Sequence, residues 1–358
     1  MRRNRWIRVL ALLLPLALFA AACGSDSGGS VSNNDSSSSS GSGKSDLKVG
    51  IVYDLGGRGD QSFNDAAAAG LDKAVKEFGL AKPEELEPDK GGENRAQLLR
   101  LLAEDKTNLI IAVGFLFADS VKATAPEFGD STFAIVDETV DAPNVASLKF
   151  AEEQGSYLVG AAAALTSKTG KLGFIGGVET PLIQKFEAGF IAGAKKVNPA
   201  ATVDVKYISQ PPDFSGFNDP AKGKEIATGQ YAAGADVIYA AAGGSGGGLF
   251  EAAKETSTAA AKHWAIGVDS DQYNLVDASL KPFILTSMLK KVDVAVYQTI
   301  KALTEGETVG GKETIFDLKS DGVGYSTSGD AMAKDVVTKL EELKQSIIDG
   351  DIKVPTTP

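Results

Sequence analysis

From Leu47 onward the apolar positions fall into two alternating kinds of run. Short continuous runs rich in β-branched residues read as buried strands, and apolar residues recurring every three to four positions read as helices. Leu47–Asp54 (LKVGIVYD) is the first expected strand, and the turn after it carries Gly56, Gly57 and Gly59. Ser62, with Asp65 three residues on, forms an S-x-x-D capping box. Phe63, Ala67, Leu71, Ala74, Val75 and Phe78 then recur at helical spacing. Further strands are expected at 108–114, 132–137 and 145–150, and a second series at 171–177, 202–208, 236–242, 264–269 and 283–289. Helical patterns at 95–103, 156–165, 183–197, 222–232 and 249–257 fall between them, and 331–350 reads as a helical tail.

Alternating helices and continuous apolar strands imply an α/β fold of parallel sheets covered on both faces, and two such series imply two doubly wound lobes. In open α/β sheets ligands bind at the carboxyl ends of the strands. Asp54, Asp137 and Asp269 each end an expected strand in the same sense. Any one of them could be the polar residue at which a chain turns. Three, drawn from both series, point to a shared cleft in which carboxylates accept N–H or O–H groups of a polar ligand. Phe63 and Asn64 open the helix after the first strand. Phe217 lies in a loop (SGFNDPAKG), where the plain reading is a packing plug. Phe186, followed by Phe190 and Ala194 at four-residue spacing, reads as helical core. Gly243 begins a glycine run (GGSGGG) that lets backbone approach a ligand closely. Lys290 closes the strand LTSMLK.

Composition narrows the chemistry. The 358 residues suffice for two lobes of ordinary size, and 43% hydrophobic content can fill their cores. A net charge of −11 argues against nucleic acid as a partner. Cys23 is the only cysteine and His263 the only histidine, so zinc sites built from His and Cys are excluded, and no cofactor is expected. The glycine run satisfies neither phosphate-loop pattern, but Gly243–Gly247 does match the G-x-S-x-G of a nucleophile elbow around Ser245. A serine esterase is therefore an alternative. It would need His263 as base and an acid from Glu251 or Glu255, and His263 stands at the wrong end of a strand.

The amino terminus is a targeting segment. Arg2, Arg3, Arg5 and Arg8 precede an apolar stretch, Val9 to Phe19, too short to span a membrane comfortably. Ala20-Ala21-Ala22-Cys23 resembles a lipobox, with Ala20 where Leu is usual. Cys23 is the expected lipidated residue of a membrane-anchored, extracytoplasmic protein; the alternative is an ordinary secretory peptide. Residues 24–45 form a Gly/Ser linker with a reach of roughly 25 Å.

The run GIVYDLGGRGDQSFNDAAAAGL (50–71) resembles the opening of the basic membrane protein family, the PnrA-like nucleoside-binding lipoproteins of bacterial ABC transporters. The likeness continues in FAEEQGSYLVGAAAAL (150–165), FEAGFIAGAKKVNP (186–199), AAGGSGGGLFEAAKE (241–255), IGVDSDQY (266–273) and LTSMLKKVDVAV (285–296). It implies the periplasmic-binding-protein type I architecture, with crossings between lobes near 148–150, 270 and 318–322. Lobe I would then comprise 46–149 and 270–320, and lobe II 150–269 and 321–350. The resemblance also implies a purine nucleoside ligand and an ABC permease partner. On its pattern Asp269 and Lys290 would contact ribose, Asp137 would face the base, and Phe63 and Phe217 would sandwich it. A sugar or other small polar ligand in the same fold, or a receptor serving no importer, are the other readings.

Overall fold

The computed structural model describes residues 46–358; the targeting segment, Cys23 and the linker lie outside the described residues. In chain order the first series is β1 (Val49–Val52), α1 (Phe63–Phe78), β2 (Glu84–Leu86), α2 (Arg95–Glu104), β3 (Leu109–Ala112), α3 (Ala118–Thr124), β4 (Thr132–Val136) and β5 (Val145–Phe150). The second is α4 (Glu152–Thr166), β6 (Lys171–Val178), α5 (Pro181–Val197), β7 (Thr202–Ser209), α6 (Pro220–Ala232), β8 (Val237–Ala241), α7 (Gly246–Thr256), β9 (Trp264–Asp269) and β10 (Ile284–Lys290). The remainder is α8 (Val292–Thr304), β11 (Glu313–Phe316), β12 (Val323–Tyr325) and α9 (Lys334–Ile348).

The strands form two six-stranded sheets, ordered β11-β5-β4-β3-β1-β2 and β12-β10-β9-β8-β6-β7. The first is parallel throughout. The second is parallel except that β12 runs antiparallel to β10. The central strands β1, β3 and β8 are buried along their whole length, as expected of strands covered by helices on both faces. The first five strands of each series therefore share one topology, with the switch point between the first and third.

Helix packing explains several glycines. On the second sheet α4 and α5 cross closely: a Cβ at Gly160, Gly189 or Gly193 would overlap the backbone of the opposing helix. Gly70 gives α1 the same closeness to α8 at Asp293.

Three expectations change. The crossing expected near residue 270 lies at Lys290–Val292 instead. β10 pairs with β9 in the second sheet, and only afterwards does α8 return to pack on α1. A continuous apolar strand carries no mark of which sheet it will join. Second, the cap of α1 is Asp60, not Ser62. Its carboxylate accepts the N–H groups of Ser62, Asn64 and Asp65 at 2.9, 2.8 and 3.1 Å, and Ser62 makes no side-chain cap. Third, β2, β11, β12 and α3 lie outside the expected elements; the three strands are short, sheet-edge segments with weak apolar runs.

Candidate ligand-binding cleft

All eight ligand-site candidates line one cleft at the carboxyl ends of both sheets: Asp54, Phe63, Asn64, Asp137, Phe217, Gly243, Asp269 and Lys290. Its atom-free space, part of it open to solvent, is about 580 Å³. Asp54 follows β1, Asp137 follows β4 and Asp269 ends β9. Asp137 and Asp269 both adopt the left-handed backbone, at φ 72° and 63°. Aspartate tolerates that region better than most residues, and it turns the chain sharply where each strand stops.

Each carboxylate is only partly committed. Asp54 Oδ1 accepts the Leu55 N–H at 2.8 Å and faces Arg95 Nη2 at 3.4 Å. Asp269 Oδ2 accepts the Ser62 hydroxyl at 2.8 Å, a bond that joins the second sheet to the start of α1. Ser62, freed from capping by Asp60, thus links the two halves. Asp137 Oδ2 accepts from Lys290 Nζ at 2.5 Å, while Asp137 Oδ1 has no hydrogen-bond partner among the described residues. Asn64 Oδ1 takes the Asp54 N–H at 2.9 Å, which fixes the amide and leaves its NH2 group and one lone pair of Oδ1 for a ligand.

Lys290 is the cation of the site. Its side chain is 2% exposed and lies between Asp137 and Glu152, the latter 3.7 Å away. Its Nζ also stands 4.8, 5.2 and 5.7 Å from the ring centroids of Phe63, Phe150 and Phe186. Burial opposes its charge, but Asp137, Glu152 and Asp269 outweigh burial and hold the ammonium above its ordinary pKa. Burial pushes Asp54 up to about 6, against the Leu55 N–H and Arg95. It pushes Asp269 up to about 6, against Lys290 and Ser62. Glu152 is pushed up to about 7 by burial, with Lys290 opposing and the Asp137 charge adding.

The cleft has residues that strand-end reasoning missed. Phe115 follows β3 and meets Phe214 and Phe217 edge to face, both at 6.3 Å. The same logic that singled out Asp54 and Asp137 could have found it at the end of the third strand. Asp60 also lines the cleft, its pKa raised by burial against the three N–H groups it caps. Phe186, read as core, is 3% exposed and also lines the cleft with Leu182 and Ile183, so it is wall and core together. Gly243 adopts φ 54°, and a Cβ there would stand 3.2 Å from the Phe217 carbonyl.

The elbow serine is bound into the structure. Ser245 is 1% exposed; its hydroxyl donates to Gly216 O at 2.8 Å and accepts the Asp219 N–H at 2.7 Å. His263 Nδ1 pairs with the Thr256 hydroxyl at 2.8 Å and its ring stacks on Tyr231, 4.4 Å away. Base and nucleophile are therefore each engaged elsewhere. Among the described residues no group of His, Cys, Asp and Glu is arranged to hold a metal, and no helix is long and apolar enough to cross a membrane.

Comparison with known proteins adds an independent line. A family model described as ABC transporter substrate-binding protein PnrA-like matches residues 47–358. The chain is 39% identical to a CD4+ T-cell-stimulating antigen of Listeria innocua, with all of both chains covered. It is 36% identical to the ABC transporter nucleoside-binding protein BmpA of Lactococcus lactis, covering 99% of each. Among solved structures, a solute-binding protein of an ABC transporter system from Aeropyrum pernix superposes with a TM-score of 0.76 at 30% identity, over 87% of this chain and 93% of that one.

Proposed function

The chain belongs to the PnrA-like family of ABC transporter substrate-binding proteins, and from that premise we propose that it binds a purine nucleoside in the cleft between its lobes. A substrate-binding role of this kind implies a small-molecule ligand and a membrane permease. The observation that carries the nucleoside reading is the pairing of flat and polar walls. Phe63 and Phe217, from opposite lobes, border the same space as Asp54, Asn64, Asp137, Asp269 and Lys290. Aromatic rings offer a base its stacking surface, and carboxylates with one buried cation offer partners to sugar hydroxyls and a base edge. The Lactococcus relative's name, a nucleoside-binding protein, points the same way. In this reading Asp269 and Lys290 hold ribose, Asp137, Asp54 and Asn64 face the base, and Gly243 brings backbone close to the ligand. The work done is closure of two lobes around a ligand, which favours the closed form through contacts made only there.

Mass spectrometry of small molecules released from the purified, denatured protein tests the ligand class directly, with calorimetry against a panel of nucleosides, free bases and sugars beside it. Asp269→Ala and Lys290→Ala should each weaken adenosine more than adenine. A panel in which a sugar binds and no nucleoside does would overturn the reading. The same proposal holds that Cys23 carries a lipid and tethers the protein outside the cytoplasm; Cys23→Ser should lose detergent-phase partitioning.

A further inference from the structure

We propose that Arg95, outside the cleft, is a positioning residue that holds the Asp54 carboxylate charged and turned so that its Oδ2 faces the ligand. The inference rests on Asp54 being an acceptor in the nucleoside reading, but its geometry stands without it. Arg95 opens α2, which contributes nothing to the cleft lining. Its side chain is 11% exposed and that of Asp54 12%, so the pair is largely withdrawn from water.

Two features seat the guanidinium. Nη1 donates to Gly92 O at 3.1 Å, and the group lies 5.4 Å from the ring centroid of Phe117. Gly92 adopts φ 71°, and a Cβ there would overlap the guanidinium. The segment Gly91–Gly92 is thus shaped to leave room for a buried arginine. Its Nη2 and the Leu55 N–H both reach Asp54 Oδ1, which leaves Oδ2 to the cleft. On that side Gly114 must lack a side chain, because a Cβ would stand 2.7 Å from Oδ2. While ionised, a carboxylate so oriented is a pure and charged acceptor for ligand N–H or O–H groups; once protonated it keeps a weaker, neutral acceptor and gains an O–H donor.

Burial raises the Asp54 carboxyl, the Leu55 N–H and Arg95 oppose it, and Arg95 is the opposing group that carries a charge. Asn64, from α1, accepts its backbone N–H and carries no charge. Asp137, at the end of β4, acts against its ionisation, and burial does so more strongly. Asp60, Asp269 and Lys290 line the same cleft, but the cation in direct contact with the Asp54 carboxylate is Arg95. Without it, burial and Asp137 would leave Asp54 protonated over more of the neutral range.

The test follows the Asp54 carboxyl by carbon NMR in the ligand-free protein, assigned by its loss in Asp54→Asn. Arg95→Met and the milder Arg95→Gln should raise its titration midpoint by about one pH unit or more, the usual effect of losing an adjacent opposite charge. Arg95→Lys should restore much of it. Adenosine affinity, as a second readout, should fall about two- to tenfold at pH 7 in the neutral variants and recover by pH 9. An unchanged midpoint in either folded neutral variant overturns the proposal. A raised midpoint in a protein that binds no nucleoside, wild type included, would support Arg95 and defeat the nucleoside reading. A uniform, pH-independent loss of affinity with an unmoved midpoint would make Arg95 a structural residue only.

Discussion

The two lobes are built to one plan and furnished differently. In each, the first five strands take the same order. The fourth strand ends at an aspartate in the left-handed region, Asp137 in one lobe and Asp269 in the other. The third strand is followed, two residues on, by a positive-φ glycine, Gly114 or Gly243. At the next position they part: the first lobe carries Phe115 and the second Gly244. So the first lobe projects a ring into the cleft and the second yields space there. The fifth strands differ as well, one ending at Phe150 and the other at Lys290, and these two ends meet across the divide at 5.2 Å. A shared topology fixes where functional side chains can stand, and substitution at those few positions makes two similar lobes complementary.

The strongest way to break that complementarity is to remove its cation. Lys290→Ala leaves Asp137 of the opposite lobe and Glu152 buried without their shared partner, and should destabilise the protein by about 3–5 kcal/mol at pH 7. Burial already pushes Glu152 up to about 7 against Lys290, and losing that ammonium would raise it further, so the deficit should shrink as pH falls. Denaturant titrations at pH 7 and pH 5.5 check both the size and the sign; a deficit that grows on acidification would refute the pairing.

The aromatic walls sharpen the contrast between furnishing and framework. Phe186→Ala, at a buried ring, should cost about 3–5 kcal/mol in stability. Phe217→Ala, at a half-buried ring, should leave the melting temperature of the unliganded protein nearly unchanged while weakening nucleoside binding by about 1–3 kcal/mol. If Phe217→Ala proves the less stable of the two and binds ligand normally, the sandwich fails.

Acidification separates the carboxylates from the frame that carries them. Asp54 and Asp269 titrate near 6 in the fold, above the ordinary carboxylate range, because burial raises both. The unfolded chain therefore loses these protons first. Their contribution to stability is full below about pH 4 and is lost as pH rises through about 6. Binding should run the opposite way, since a charged carboxylate accepts more strongly than the neutral acid in the proposed contacts. Affinity should fall about tenfold per carboxylate between pH 7 and pH 5. Calorimetry across that range, with the melting temperature followed in parallel, would show the two trends crossing; parallel trends would contradict the assignment.

The smallest effect concerns the one-residue difference at the third strands. Phe115→Ala removes two edge-to-face contacts that reach from the first lobe to Phe214 and Phe217 in the second, worth about 0.5–1.5 kcal/mol each. Small-angle scattering should show a larger open fraction of the unliganded variant. No change in compactness and an unchanged dissociation rate would reduce Phe115 to a surface ring.

The sequence alone determined the class of fold and the edges of the cleft. Strand burial on both faces writes itself as continuous apolar runs, and strand ends write themselves as Asp or Gly, because those residues turn the chain. That was enough to single out Asp54, Asp137, Asp269 and Gly243; Asn64 was read from its place in the first helical turn, and Phe63, Phe217 and Lys290 took their roles from the family resemblance; all eight line the cleft. Tertiary structure decided which sheet each strand joins, and so moved the second crossing from near residue 270 to Lys290–Val292. It also decided which polar group serves which partner. Ser62 looked like a helix cap and instead reaches Asp269, because Asp60 had already satisfied the helix. Arg95 and Glu152 became legible only when folding placed them beside Asp54 and Lys290. Local pattern encodes what a segment will be; a hydrogen bond or ion pair between distant residues depends on distances that only the packed chain sets.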